Sequence, residues 1–158
     1  MLKILSALLL AAMLAACSGL PYNAQAPKVS VAEVNIKSLG LFEQRFDVSL
    51  RVNNPNDFDI KIEALDFELE VNGRAFAKGL ARTTVLIPAM SSERLHVEAV
   101  TQSKTLLQQI KTLPPEALKE GVPYRVQGRV KTDKSSSWLP FDHSGVYGGD
   151  DKKKGAAT

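Results

Sequence analysis

The chain has 158 residues, a formal net charge of +3 at neutral pH and one cysteine. Its sequence pI is about 9.0, but basic and acidic residues are interspersed, without the concentrated basic stripe that is typical of a nucleic-acid binder. We therefore expect no nucleic-acid partner. A lone cysteine also has no intramolecular disulfide partner.

The first 16 residues are typical of a signal peptide, with Lys3 as the positive start and residues 4–14 as the apolar segment. Small residues then lead to the only cysteine in the run Leu14, Ala15, Ala16, Cys17. This run resembles the lipobox of bacterial lipoproteins. The resemblance implies that the thiol is diacylated, that the chain is cut before Cys17, and that the new amine is acylated.

Two other interpretations of this segment are less favoured. A transmembrane helix needs about 20 apolar residues, whereas the run from Ile4 reaches Cys17 after 13 residues. A free or disulfide-forming thiol is also less favoured, because a lone cysteine in an exported chain has no intramolecular partner. Three acyl chains would give a lasting membrane anchor, since one myristoyl chain alone binds only marginally. In the sorting rule that the resemblance implies, Asp after the cysteine retains a lipoprotein in the inner membrane. Ser18 therefore favours the outer membrane, with the protein facing the periplasm.

Removal of residues 1–16 leaves 142 residues, enough for one domain with a sizeable core. Residues 17–27 contain turn formers without periodicity, which indicates a lipidated N-terminus and linker. We expect a folded domain over residues 28–147. A disordered polar tail would follow over residues 148–158, which include a charge run at 150–154.

Alternation of apolar and polar residues predicts that the domain is built mainly from strands. The first alternating positions are Val29, Val31, Val34, Ile36, Phe46, Val48, Leu50 and Val52. Ile60 and Ile62 have even numbers, whereas Leu65, Phe67 and Leu69 have odd numbers. This change of parity predicts a bulge or strand break near Ala64, because a slip of one residue otherwise exposes one apolar set.

Asn72-Gly73 is a strong hairpin signal between strands at 65–71 and 74–79, because a type I′ turn needs two positive φ angles. Further strands are predicted at 83–87, 94–101, 124–131 and within 137–147. Gly128, inside one of them, indicates a bulge or a close backbone approach.

One segment, 103–113, has helical spacing, with Ser103 as the N-cap and the apolar positions Leu106, Leu107, Ile110 and Leu113. Pro114 and Pro115 end it, and a second short turn would run from residue 115 to 121. About seven antiparallel strands with regular turn signals predict an all-β immunoglobulin or fibronectin type III-like sandwich. The helix would cover an open end or edge. A closed barrel is the alternative, because periodicity does not reveal whether a sheet closes.

Several motifs, taken in order, resemble the Water stress and Hypersensitive response (WHy) domain of the late embryogenesis abundant type 2 family. These motifs lie at residues 52–56, 69–73, 85–88, 124–130, 139–141 and 144–145. The resemblance covers roughly residues 28–147 and implies a seven-stranded sandwich with one helix. It also implies a protective role in desiccation, cold or osmotic stress.

The family motif Asn54, Pro55, Asn56 has first a structural interpretation. Pro55 sets φ for a turn, and the two amides are suited to Asx-type hydrogen bonds with nearby backbone. Ligand binding by these amides is the alternative. Trp138 is interpreted as a packing residue of the core or rim, with an exposed partner anchor as the alternative.

Catalysis has little support in the sequence. Asp142, His143 and Ser144 are adjacent, and neighbouring side chains on an extended backbone point apart instead of forming a triad. His96 lies at an outward position of a predicted strand, and one histidine beside one carboxylate is too few for zinc. We expect no enzyme, no cofactor and no metal.

Three functions remain open. The first is non-catalytic protection under stress, in which a membrane-held polar surface shields neighbouring envelope proteins or membranes. The second is an envelope interaction module that recruits a partner through a sheet edge or loops. The third is a binder of lipid or another small apolar ligand, which an apolar pocket between the strands would support and a fully packed core would exclude.

Overall fold

The computed structural model describes residues 25–112, 115 and 120–148. The predicted signal peptide, the predicted lipobox with Cys17, residues 116–119 of the predicted second turn and the predicted tail beyond residue 148 all lie outside the described residues. The described elements, in chain order, are β1 (Lys28–Leu39), β2 (Glu43–Asn53), β3 (Ile60–Val71), β4 (Arg74–Ala81), β5 (Val85–Ile87), β6 (Ser92–Gln102), α1 (Ser103–Thr112), β7 (Val122–Thr132) and β8 (Leu139–Tyr147).

The strands form one antiparallel sheet in the order β1, β2, β6, β4, β3, β7, β8, with β5 beside the first part of β3. Strands β4 and β6 meet at two residue pairs, Lys78 with Val100 and Gly79 with Ala99. The sheet curls into a half-barrel around one apolar core. The antiparallel β architecture with a helix is confirmed, but the predicted two-sheet immunoglobulin-like sandwich is not.

The edge strands β1 and β8 approach each other without a described ladder of backbone hydrogen bonds between them. Tyr147 bridges this seam, because its hydroxyl accepts a hydrogen bond from the Val34 N–H at 3.2 Å. Tyr124 of the neighbouring strand β7 also lies beside Val31 of β1, where both residues line one cavity. The Tyr147 side chain therefore links the two edges of the half-barrel.

The predicted bulge in β3 is confirmed. Its pairing with β7 shifts register between Ile62 and Ala64, so that Ile60, Ile62 and Leu65 are all buried. The Asn72-Gly73 hairpin is confirmed as well, with φ angles of 51° and 70°. Local sequence parity and turn chemistry were sufficient for both features.

Gly128 marks a close approach and not a bulge. Across β4, β3, β7 and β8 the paired residues at one level are Gly79, Phe67, Gly128 and Phe141, which alternate glycine with phenylalanine. A Cβ on Gly128 would lie 2.1 Å from the Asp66 carbonyl oxygen and 2.8 Å from Cζ of Phe141. The glycine therefore makes room for the neighbouring backbone and ring.

Candidate apolar binding site

An apolar cavity of about 280 Å³ lies at the end of the half-barrel where β1 finishes and α1 crosses. Its strand lining is aliphatic and aromatic, and the aliphatic part consists of Val31, Val34, Ile36, Leu69, Val71 and Val122. Phe46 and Phe76 form one wall, with ring centroids 5.2 Å apart. The cavity is thus an extension of the core that the strands do not fill.

A bulge in β1 turns its second half towards this cavity. The register of β1 against β2 shifts between Val31 and Glu33, which places odd-numbered Val31 and even-numbered Val34 on the same lining surface. The sequence carries the same signal here as at Ala64, a change of parity between successive apolar residues. Our interpretation of β1 as a regular alternating strand missed it.

Helix α1 covers the cavity with Leu106, Gln109 and Ile110. Its orientation differs from the one that an apolar stripe predicts, because the buried residue is Gln109, at 3% exposure, while Leu107 and Ile110 are each 58% exposed. Hydrogen bonds to the β3–β4 hairpin explain this orientation. Gln109 Nε2 donates to the Arg74 carbonyl at 3.3 Å, and Asn72 Nδ2 donates to the Thr112 carbonyl at 3.3 Å.

The polar side of the cavity consists of one amide and two phenol groups. The Tyr147 hydroxyl accepts a hydrogen bond from the β1 backbone, and burial raises the pKa of Tyr124 above its ordinary value. Gln109 Oε1, by contrast, is buried without a hydrogen-bond partner in the part of the chain that the structure describes. The other buried side-chain atoms in this state are hydroxyl oxygens of Ser49, Thr101 and Thr132, none of which lines the cavity.

Exposed apolar side chains surround this end of the domain. We call this set the apolar rim; it consists of Ile36, Leu39, Leu41, Phe42, Leu107, Ile110, Val146 and Tyr147. Leu41 and Phe42, in the β1–β2 turn, are 89% and 86% exposed. Contiguous exposed apolar surface marks sites of interaction with ligands, proteins or membranes. Three members of the rim, Ile36, Ile110 and Tyr147, also line the cavity and therefore mark its mouth.

The Asn54, Pro55, Asn56 motif lies at the opposite end of the domain. Asn54 is fully buried, and its Nδ2 donates to the carbonyls of Phe58, Ile87 and Pro88 at 2.7, 3.2 and 3.1 Å. Its Oδ1 accepts from the backbone N–H and the side-chain amide of Asn56. The amide capacity of Asn54 is therefore used in joining two backbone segments, the β2–β3 loop and the end of β5.

Asn56 fixes the start of the described chain. Its Oδ1 accepts from the Gln25 N–H at 2.7 Å, and its Nδ2 donates to the Gln25 carbonyl at 2.9 Å. The segment before β1 is thus held at the end of the domain away from the cavity mouth.

The side chains considered for catalysis remain on the outer surface. Asp142, His143 and Ser144 are consecutive exposed residues of β8, and Asp142 is bound by the Arg125 guanidinium, which lowers the pKa of that carboxyl. His96 is also exposed, and its Nδ1 lies 3.2 Å from Asp47 Oδ2.

Trp138 is 38% exposed. The Arg129 guanidinium lies over its ring, with Cζ 5.0 Å from the ring centroid.

The described residues hold no group of three or more His, Cys, Asp or Glu side chains placed to share a metal ion. Among them, no helix has the length and apolar character needed to cross a bilayer.

The fold and the site define a class: a small antiparallel β half-barrel with a helix-covered apolar cavity at one end. The family model for late embryogenesis abundant proteins (LEA_2) matches residues 49–145. The chain belongs to this family.

The same fold is found in a solution structure from Arabidopsis thaliana. That protein is 19% identical, with a TM-score of 0.58 over 77% of this chain and 81% of that one. A solution structure of a protein assigned to the late embryogenesis abundant group is 17% identical, with a TM-score of 0.38 over 78% and 71%. A crystal structure of an Archaeoglobus fulgidus protein is 14% identical, with a TM-score of 0.43 over 80% and 97%. No curated protein matches this chain.

Proposed function

We propose that this chain is a non-catalytic, lipid-anchored envelope protein of the WHy type that protects cells during desiccation, cold or osmotic stress. The observation that carries the proposal is the family match over residues 49–145. The run from Leu14 to Cys17 supports an acyl anchor, and Ser18 supports the outer membrane with the domain facing the periplasm. The membrane is then a constant partner, and neighbouring envelope proteins are the clients.

The charged outer face of the half-barrel supports a shielding mechanism. Arg45 contacts Glu43 at 2.8 Å and Glu98 at 3.0 Å, while Lys37 pairs with the same Glu98. The pKa of the Glu98 carboxyl lies below its ordinary value, mainly because the carboxylate accepts a hydrogen bond from Lys37. Exposed ion pairs of this kind add little stability, but they keep the surface charged and hydrated. A folded surface of this composition would separate neighbouring proteins or membranes as water is withdrawn.

Survival after drying tests the protective role. Deletion of the gene is expected to reduce survival after desiccation and rehydration, and expression of the wild-type chain is expected to restore it. The measurements are colony counts and leakage of periplasmic contents, compared with an unstressed culture of the same strain. Undiminished survival together with an intact envelope would contradict the proposal.

Substitution of Cys17 with alanine tests the anchor. Because the thiol is the acylation site in this proposal, Cys17→Ala is expected to give an uncleaved or soluble protein and to lose the protection that wild type restores. Cell fractionation and intact mass report the outcome, and Ser18→Ala, which keeps the thiol, is the matched control for membrane attachment. An unchanged mass and membrane fraction for Cys17→Ala would remove the lipid anchor from the proposal.

A second candidate function is the binding of a small apolar molecule. The observation that favours it is the cavity of about 280 Å³ with its apolar rim. Ligand sites are concave, mostly apolar and provided with a few polar groups that fix orientation. Gln109 and the two seam tyrosines meet that description here.

A further inference from the structure

We propose that the cavity binds one unbranched alkyl chain that carries a hydroxyl or amide N–H group, and that Gln109 Oε1 accepts a hydrogen bond from this donor. The inference rests on the second candidate function, because it names the class of apolar molecule that enters the same cavity.

The size and lining of the cavity favour a single chain. Its volume of about 280 Å³ is at the lower end of ligand pockets, which span roughly 300–1,000 Å³. If a methylene takes about the 30 Å³ of a water molecule, the cavity holds roughly nine carbons. No charged side chain is among the described residues that line it. A charged head group would therefore remain outside, at the mouth marked by Ile36, Ile110 and Tyr147.

Gln109 adds a polar requirement to this apolar site. Its Nε2 donates to the Arg74 carbonyl, and this bond sets the amide orientation, because exchange of the two amide atoms would place two acceptors against each other. Oε1 is then left as a buried acceptor without a partner among the described residues, and because it has less than 1 Å² of accessible surface, a small movement of the Gln109 side chain must accompany its hydrogen bond to a ligand. A buried unpaired acceptor is unfavourable. A ligand with a donor group relieves this cost, whereas an alkane or an ionised carboxylate does not.

The cavity mouth is distant from the start of the described chain. Gln25 is held by Asn56 before β1, and the mouth lies near Ile36, eleven residues later, or roughly 36 Å along an extended strand. If Cys17 carries acyl chains inserted in a bilayer, as proposed above, those chains are held by the lipid, and the ligand of the cavity comes from another molecule.

Photolabelling of the full-length protein in phospholipid nanodiscs tests the proposal. The probe is a ten-carbon alcohol with a terminal diazirine, and labelled peptides are located by mass spectrometry. We expect labels in β3, β7 and α1. Unlabelled decanol is expected to compete about tenfold better than decyl methyl ether at matched free concentrations, since one buried neutral hydrogen bond contributes about that factor.

Two variants and a matched control distinguish the requirement for a hydrogen-bond donor from apolar binding in the cavity. In Gln109→Leu, labelling is expected to persist while the tenfold preference for the alcohol disappears. Val71→Trp is expected to fill the cavity and reduce labelling at least tenfold. Leu86→Trp adds the same ring at an exposed position of β5 and should leave labelling unchanged. Thermal unfolding verifies that each variant is folded. If Val71→Trp is unfolded, the comparison of Gln109→Leu with the wild-type protein still tests the proposal.

Each contrary outcome has its own meaning. Equal competition by the alcohol and the ether in the wild-type protein would overturn the donor requirement and leave apolar binding intact. Labels confined to the rim or scattered over the surface would overturn both. Labelling that falls as protein concentration rises would show a second copy at the mouth and overturn the proposed ligand. None of these outcomes alters the drying test of the protective function.

Discussion

Substitution of Gly128 with alanine is expected to lower the free energy of unfolding by about 3 kcal/mol, at the upper end of the usual cost of overpacking. The physical reason is that the new Cβ would lie 2.1 Å from the Asp66 carbonyl oxygen, which is backbone and unable to rotate away. The Phe141 ring, at 2.8 Å, has more freedom to move. Denaturant unfolding followed by circular dichroism measures the change.

Gly73→Ala is the matched control for this prediction. Gly73 has φ of +70° and no other heavy atom within 4 Å of an added Cβ, so its substitution tests backbone conformation without steric overlap. We expect a loss of about 1 kcal/mol from the left-handed conformation. A loss for Gly128→Ala that does not exceed that of Gly73→Ala would contradict the close approach. Recovery of stability on adding Phe141→Leu would assign the conflict to the ring and not to the backbone.

Asn54→Ala is expected to cost a similar amount, about 3 kcal/mol. The substitution leaves the buried carbonyl of Ile87 and the partly buried carbonyls of Phe58 and Pro88 without the Asn54 amide donor, and it removes the acceptor for the Asn56 N–H. Each buried group left unpaired costs about 1–3 kcal/mol, although neighbours and water recover part of this. The same unfolding experiment measures the loss.

Asn53→Ala controls for the removal of an amide one residue away. Asn53 is only partly buried, and its Nδ2 donates to Ser92 Oγ at 3.0 Å. Its removal is expected to cost about 0.5–1 kcal/mol, the worth of an ordinary hydrogen bond. If Asn54→Ala is no more harmful than Asn53→Ala, the family motif is not the structural joint described here, and its alternative role in ligand binding regains support.

Local signals in the sequence were enough for the strands and turns. The bulge near Ala64 and the hairpin at Asn72-Gly73 follow from parity and positive φ, which involve a few adjacent residues. At Gly128 the missing side chain predicts a bulge or a close approach, and the structure shows the close approach. The helix was predicted on similar grounds, but the face that it buries was not. An apolar stripe favours burial of Leu107 and Ile110, whereas hydrogen bonds to distant Arg74 and Asn72 select Gln109 instead.

The sequence by itself determined a β-rich chain and its family motifs, and it predicts an acyl anchor at Cys17 before any strand forms. Only the tertiary structure decided that the strands make one curled sheet, because the same alternation of inward residues suits a sandwich, a barrel and a half-barrel. It also decided that an apolar cavity remains at one end. That cavity depends on residues from six strands and α1 meeting across long sequence separations, and no local pattern specifies the space left between them.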